Sequence, residues 1–503
     1  MQIDGNTLTI NNVIKVARNR EKVELSKGCI EKIEDSRRIV EKLSNEKVVY
    51  GLNTGFGEFA RVKIKKKDRI KLQLNLLRSH SCGIGEPLNE ATARATMLLR
   101  ANTLAKGNSG VRIELIEKLI ELLNKDIYPH IPEKGSVGSS GDLVPLAHMS
   151  LLLIGEGKGY CNKRLMSGKN CLKKSGIKPI KLREKEGLAL INGTPVMTAI
   201  AALAIYDSET LLKAAEIACA MSIEALLASN SFLLEELHRA RNIEGQIVCA
   251  RNLRELVEGS EIIESHRECR AVQDSYSLRC SPQVIGSFHE ALKFSEAVVK
   301  KEINSACDNP LIFDGNAISG GNFHGEPIAQ LMDFFAISLA EIGNISERRI
   351  FRCLDENLSN LPPSLVENSG LNNGFMMTQY VAASLVSENK VLCHPASVDS
   401  IPTAANQEDH VSMGTISARK AQEVLENVKH VVAIELLVAS QALDFRKPLR
   451  FGAGSERGYN FIRDNLGIKF LEEDRSLASD VKKVADHLEE LVQFVEKETK
   501  LEI

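Results

Sequence analysis

The sequence predicts a mainly α protein, a long-helix bundle with a smaller mixed region at its N-terminus. Three observations carry that expectation. Apolar residues recur at helical spacing through long segments at 208–229, 282–304, 328–354 and 417–443. Short alternating segments gather instead in the first hundred or so residues. A chain of 503 residues, 43% of them hydrophobic, can bury one large core or several smaller ones. The expected division is a mixed region over 1–110 and a helical domain over 111–503.

Taken in order, Leu8-Thr9-Ile10 reads as a short strand and 36–47 as a charged helix. The segment 50–57 (YGLNTGFG) places three glycines within seven residues and reads as a loop. Helical spacing follows at 90–106 and 111–124, then a small-residue octapeptide at 135–142 and an apolar run at 143–154. Residues 155–186, rich in lysine and glycine, suggest an exposed hairpin with two weak strands. Residues 187–206 carry no charge over a length that spans a bilayer, but Asn192-Gly193-Thr194-Pro195 interrupts them. In lipid that break would leave backbone groups unpaired, so a buried loop followed by a buried helix is predicted. Further on, Ile285, Phe288, Leu292, Val299 and Ile303 form one apolar stripe. Residues 328–345 are apolar on nearly all sides, as suits a helix at the centre of a bundle. No repeat of fixed period or low-complexity tract is present.

Composition excludes several function classes. The formal net charge is -2 with basic residues dispersed, which argues against a nucleic-acid partner. Eleven cysteines occur without a C-x-x-C pair or zinc-finger spacing, so they read as reduced thiols and no metal is expected. Residues 1–20 lack the apolar core of a signal peptide, so a cytoplasmic protein with no membrane partner is expected.

The most unusual local sequence is GSVGSSGD at 135–142. A phosphate cradle would need a lysine after the glycines, and none follows. The G-x-S-x-G elbow of serine hydrolases fails because Asp142 stands at its last glycine. Two readings remain open on these residues alone. One is a serine and glycine turn capping the next helix. The other is backbone cyclisation, in which the Gly141 nitrogen attacks the Ser139 carbonyl carbon and the Ser140 hydroxyl is then lost to leave an exocyclic methylidene.

Here the chain resembles the aromatic amino acid ammonia-lyases, whose prosthetic group forms within G-S-V-G-x-S-G-D-L-x-P-L; this chain reads GSVGSSGDLVPL from Gly135. The likeness extends through YGLNTGFG at Tyr50, SHSCGIGEPL at Ser79, INGTPV at Ile191, QDSYSLRCSPQ at Gln273, DNP at Asp308, GGNFHGEP at Gly320 and NQEDHVSM at Asn406. It implies the fumarase/aspartase-like helical fold, a homotetramer with sites built from several chains, and a 4-methylidene-imidazol-5-one formed from Ser139-Ser140-Gly141 with no external cofactor. Gln273, Asp274, Tyr276 and Arg279 crowd polar groups at the start of an apolar helix, which a convergent site explains better than a surface does.

The resemblance also implies roles. Tyr50 matches the catalytic base, and a phenol in that role needs its pKa lowered or a neighbouring donor. Arg279 matches the arginine that grips the substrate carboxylate, a task for a planar fork of donors. Asn192, Gln273 and Tyr276 match residues that bond the prosthetic group or the amino-acid end of the substrate. Phe323 matches a residue beside the electrophile.

The implied reaction is non-oxidative elimination of ammonia from an L-amino acid. The dipeptide Ser79-His80 looks like that of the histidine lyases, as does Glu408 in NQEDH, which implies L-histidine as substrate and urocanate as product. A buried polar pair discriminates strongly against a phenyl ring. Ser139 departs from the alanine usual at that position; the ring uses only its carbonyl, so the expectation is that serine is tolerated. Cys82 and Gly325 are smaller departures. The rival readings are a tyrosine or phenylalanine ammonia-lyase, a 2,3-aminomutase with the same prosthetic group, and an inactive helical scaffold. A fumarase-type lyase lacks its signature serine loop here.

Overall fold

A computed structural model of the chain describes residues 1–266 and 272–503. Its elements are mainly helical, as the sequence predicts. The chain forms two compact units: Met1–Tyr206 with Ser295–Asp333 and Pro395–Arg419, and Asp207–Phe294 with Phe334–His394 and Lys420–Ile503.

The first unit combines helices with short two- and three-stranded sheets. It is larger than the 1–110 region expected from sequence and includes the octapeptide. Long-range hydrogen bonds explain the difference: Thr415 Oγ1 donates to Asp142, Ser412 Oγ to the Gly138 carbonyl at 3.0 Å, and the Gly325 N–H to the same carbonyl at 3.1 Å. Buried polar groups need such partners, so these distant segments pack together.

Most elements lie near their expected places. The helices Glu90–Ala105, Ile113–Asn124 and Leu143–Leu153 match three of them, and the charged helix begins early, at Ile30–Glu46. Lys158–Cys161 and Arg164–Ser167 form the expected hairpin, which extends to Ile127–Pro129. The strand expected at Leu8-Thr9-Ile10 is instead a helix start. Thr9 caps Ile10–Ala17, accepting from the Asn12 N–H at 3.1 Å, while the Asn12 side chain accepts from the Thr9 N–H at 3.1 Å. That reciprocal cap outweighs the β-preference of Thr and Ile.

Pro195–Ala225 and Glu326–Leu354 are each long and apolar enough to cross a membrane, but 78% and 67% of their most apolar windows are buried inside the fold. Asn192-Gly193-Thr194-Pro195 is a buried loop leading into a buried helix, as predicted.

In the second unit, segments of four long helices meet around Glu435, which is 1% exposed. It receives Ser222 Oγ at 2.8 Å and Arg349 Nη2 at 2.8 Å, together with Ser346 Oγ; Arg349 Nη1 also donates to Ser281 Oγ at 3.2 Å. Phe288 and Phe335 pack nearby in this unit, ring centroids 5.7 Å apart, and all five stripe residues from Ile285 to Ile303 are buried. Replacing Arg349 with Met leaves a buried carboxylate with only hydroxyl donors, at an expected cost of about 3–5 kcal/mol. Denaturant titration of the variant checks this, and adding Glu435→Gln should recover much of the loss.

The helix expected at the bundle centre is not covered on all sides by the described residues. Phe334 is 45% and Ile337 46% exposed, with Phe294 edge-on to Phe334 at 6.0 Å. A helix apolar all round needs more neighbours than these segments supply.

Candidate active site

The octapeptide owes its shape to glycines in left-handed conformations, Gly138 at φ +74 and Gly141 at φ +73. A side chain on Gly141 would place Cβ 2.0 Å from the Gly193 carbonyl oxygen. This close approach is held by two bonds: the Asp142 N–H donates to Gly193 O at 2.7 Å and the Gly193 N–H to Ser140 O at 3.1 Å. Asp142 is fully buried and does not cap the helix that follows it. Its carboxylate accepts instead from the Val196 and Met197 N–H groups at 2.9 and 3.0 Å, at the start of Pro195–Ala225, and from Thr415 and Ser136. Burial pushes its pKa up, and these donors oppose that shift.

Beside the octapeptide lies a cavity of about 520 Å³, and Tyr50, His80, Ser140, Asn192 and Glu408 line it. All belong to the first unit. Apolar walls from Phe56, Leu76, Leu143 and Leu188 complete it, and no lysine or arginine is among the described residues that line it.

Tyr50 opens the glycine-rich loop, and its hydroxyl accepts from the Gly57 N–H at 3.3 Å. Burial raises the phenol pKa; the Gly57 bond lowers it and the Glu408 carboxylate raises it further. His80 ends the helix Arg69–His80, with Nδ1 3.0 Å from Ser79 Oγ. Ser79 Oγ also donates to Leu76 O at 3.1 Å. Burial lowers the His80 pKa, which favours the neutral ring.

Glu408 sits against the ring-forming residues. Oε2 accepts from Ser139 Oγ at 2.8 Å and from Thr403 Oγ1 at 2.8 Å, and Oε1 from Ser140 Oγ at 3.2 Å. Asn192 Nδ2 donates to Ser140 O at 3.4 Å, while its buried Oδ1 has no hydrogen-bond partner among the described residues.

The residues around Ser139-Ser140-Gly141 fit a methylidene-imidazolone. Position 141 has no room for a side chain, and the Ser140 carbonyl oxygen, which the ring retains, already has two donors.

Other expected residues lie elsewhere. Phe323 is half-buried and does not line the cavity, although its segment is tied to the octapeptide through Gly325. Gln273, Tyr276 and Arg279 belong to the second unit. There Gln273 and Arg279 line a different cavity, and the Arg279 guanidinium lies 4.6 Å from the centre of the Tyr276 ring. Tyr276 is 70% exposed, and Arg279 Nε is buried without a hydrogen-bond partner among the described residues.

Gly193, Thr403 and Thr415 hold the site but were not singled out from sequence. Gly193, immediately before the Thr-Pro that starts a helix, offered a local signal; the threonines act across the fold and offered none. His324, Glu326 and His410 lie close enough to suggest a metal, their ligand atoms within 4.8 Å of one another. However, His324 Nδ1 accepts from the Glu326 N–H at 3.3 Å, which places the ring proton on Nε2 and occupies the atom facing His410.

The sequence pattern described as aromatic amino acid lyase matches residues 8–464. The chain is 55% identical to a histidine ammonia-lyase of Caldanaerobacter subterraneus subsp. tengcongensis over 482 residues, covering 95% of this chain and 94% of that protein. Its structure is similar to the crystal structure of histidine ammonia-lyase from Trypanosoma cruzi, with TM-score 0.92 and 42% identity over 99% of this chain and 95% of that one. It is also similar to tyrosine aminomutase from Streptomyces globisporus, with TM-score 0.94 and 40% identity over 100% and 99%. The fold is the fumarase/aspartase-like helical fold. On the extent of these matches, the chain belongs to the aromatic amino acid lyase family.

Proposed function

We propose that this protein eliminates ammonia from L-histidine to give urocanate. The observation that carries the reading is the pairing of His80 and Glu408 in one cavity beside Ser139-Ser140-Gly141. An imidazole satisfies such half-buried polar groups, whereas a phenyl ring leaves them unpaired. The family uses the methylidene-imidazolone group and no external cofactor. When present, that group supplies an electrophile that makes the substrate's ammonia a better leaving group.

The chain's own residues do the rest. Tyr50 removes the β-proton, and its cavity position suits a base once the phenol is ionised. The Gly193 N–H and Asn192 Nδ2 stabilise negative charge on the Ser140 oxygen. Apolar walls exclude water and strengthen these interactions.

The substrate carboxylate needs a cation that the described lining lacks. Arg279 is that group, with Gln273 and Tyr276 beside the amino-acid end, and neighbouring copies in a homotetramer supply them. The exposed Phe334, Ile337 and Tyr276 support such an assembly. Phe323 stands near the electrophile, and the enzyme works in the cytoplasm.

A second reading, a 2,3-aminomutase, draws support from the likeness to tyrosine aminomutase. An ultraviolet assay with L-histidine, L-tyrosine and L-phenylalanine, with β-amino acids measured in parallel, separates the two. Urocanate from histidine alone is expected. Product from the other substrates, or a β-amino acid, sinks the histidine reading.

A further inference from the structure

The serine that replaces the family's usual alanine has a partner. Ser139 is 4% exposed, and its hydroxyl donates to Glu408 Oε2, the oxygen that Thr403 also bonds. Thr403 is fixed in turn by a backbone bridge: its N–H donates to Glu408 O at 2.9 Å and the Glu408 N–H to Thr403 O at 3.2 Å. One carboxylate oxygen is therefore held by two hydroxyls from separate segments. The other, Oε1, accepts from Ser140 Oγ.

Ring formation treats these hydroxyls differently. Closure takes the Ser139 carbonyl oxygen as water and leaves the Ser139 side chain intact. The second dehydration breaks the Ser140 Cβ–Oγ and Cα–H bonds, forms the Cα=Cβ bond and releases water. The donor on Oε1 is consumed, while both donors on Oε2 remain.

We propose that Ser139 is a positioning residue for substrate recognition. With Thr403 it clamps Glu408 Oε2, so that maturation of the ring frees Oε1, already oriented, for the substrate's imidazole. This rests on the histidine reading above. An ionised carboxylate only accepts, so its free oxygen suits an imidazole N–H. Ordering Glu408 before the substrate arrives removes an entropic cost from binding. With alanine at position 139, Thr403 alone would hold Oε2.

The test compares wild type, Ser139→Ala and Ser139→Thr as full chains. Intact mass reports the ring, because each matured chain is two waters lighter than its sequence. Calorimetry reports urocanate binding, and steady-state assays report KM and kcat for L-histidine. Ser139→Ala is expected to mature, with KM and urocanate Kd each raised about tenfold and kcat nearly unchanged, as for loss of a charge-assisted hydrogen bond made in ground and transition states alike. Ser139→Thr should restore binding. A matured Ser139→Ala with wild-type KM and Kd overturns the clamp, as does one that stays at the unprocessed mass, which would place Ser139 in ring formation instead. A wild type that neither consumes histidine nor binds urocanate overturns the substrate reading, and the clamp with it.

Discussion

Replacing Ser140 with Ala is expected to leave the chain folded but at its full unprocessed mass, with turnover of L-histidine reduced by about three orders of magnitude or more. The methylidene carbon is the Ser140 Cβ, and it becomes unsaturated only because Cβ carries a hydroxyl that can leave. Alanine has no such group. The fold has little stake in that hydroxyl, which donates to Glu408 Oε1 at 3.2 Å. The backbone that shapes the loop is held separately, by the Gly193 and Asp142 bonds. Mass spectrometry, a thermal melt and the urocanate assay together check the expectation. Full activity in the variant would remove the ring from the mechanism.

Tyr50→Phe is the second large expected effect. Removing a general base costs about 10²–10⁴ in rate, and phenylalanine preserves the packing against Phe56, whose ring lies edge-on at 6.3 Å. The pH profile distinguishes loss of a base from loss of a contact. Burial is the largest influence on the Tyr50 phenol and raises its pKa; Glu408 adds to the rise and the Gly57 N–H opposes it. The base form is the phenolate, so with a raised pKa its population at neutral pH is small. Wild-type kcat/KM should therefore climb by about tenfold per pH unit on the alkaline side until the phenol titrates. Residual Tyr50→Phe activity should lack that limb. Glu408→Gln removes the anion that raises the phenol, so its limb should move to lower pH. A wild-type limb centred near neutrality would instead mean that positive charge from another copy reaches Tyr50.

Much of this is legible in the amino-acid sequence. Helical periodicity located most of the helices because burying an apolar stripe repeats with the turn of the helix. It misread Leu8-Thr9-Ile10, where composition favoured a strand and the Thr9–Asn12 cap decided for a helix. It also treated 328–345 as a helix fully enclosed by the bundle, although Phe334 and Ile337 remain exposed on the single chain. Hydrophobic pattern says that a face must be covered, not which chain covers it.

The site divides in the same way. The ring triplet, Tyr50, His80, Asn192 and Glu408 stand out through the resemblance of short motifs to those of the family, and the fold brings Tyr50, His80, Ser140, Asn192 and Glu408 to one cavity. Gln273, Tyr276 and Arg279 were named from their motif too, but the fold places them in the other compact unit. The sequence by itself determined which chemical groups are present and which segments are helical, because both depend on residue type and local spacing. Only the tertiary structure decided that Glu408 meets Ser139 and Ser140 across 269 and 268 residues of chain, that Gly193 closes over Gly141, and that Asp142 serves a distant helix. Those contacts depend on how buried polar groups find partners once the chain is packed, and nothing in the local spacing of residues specifies that.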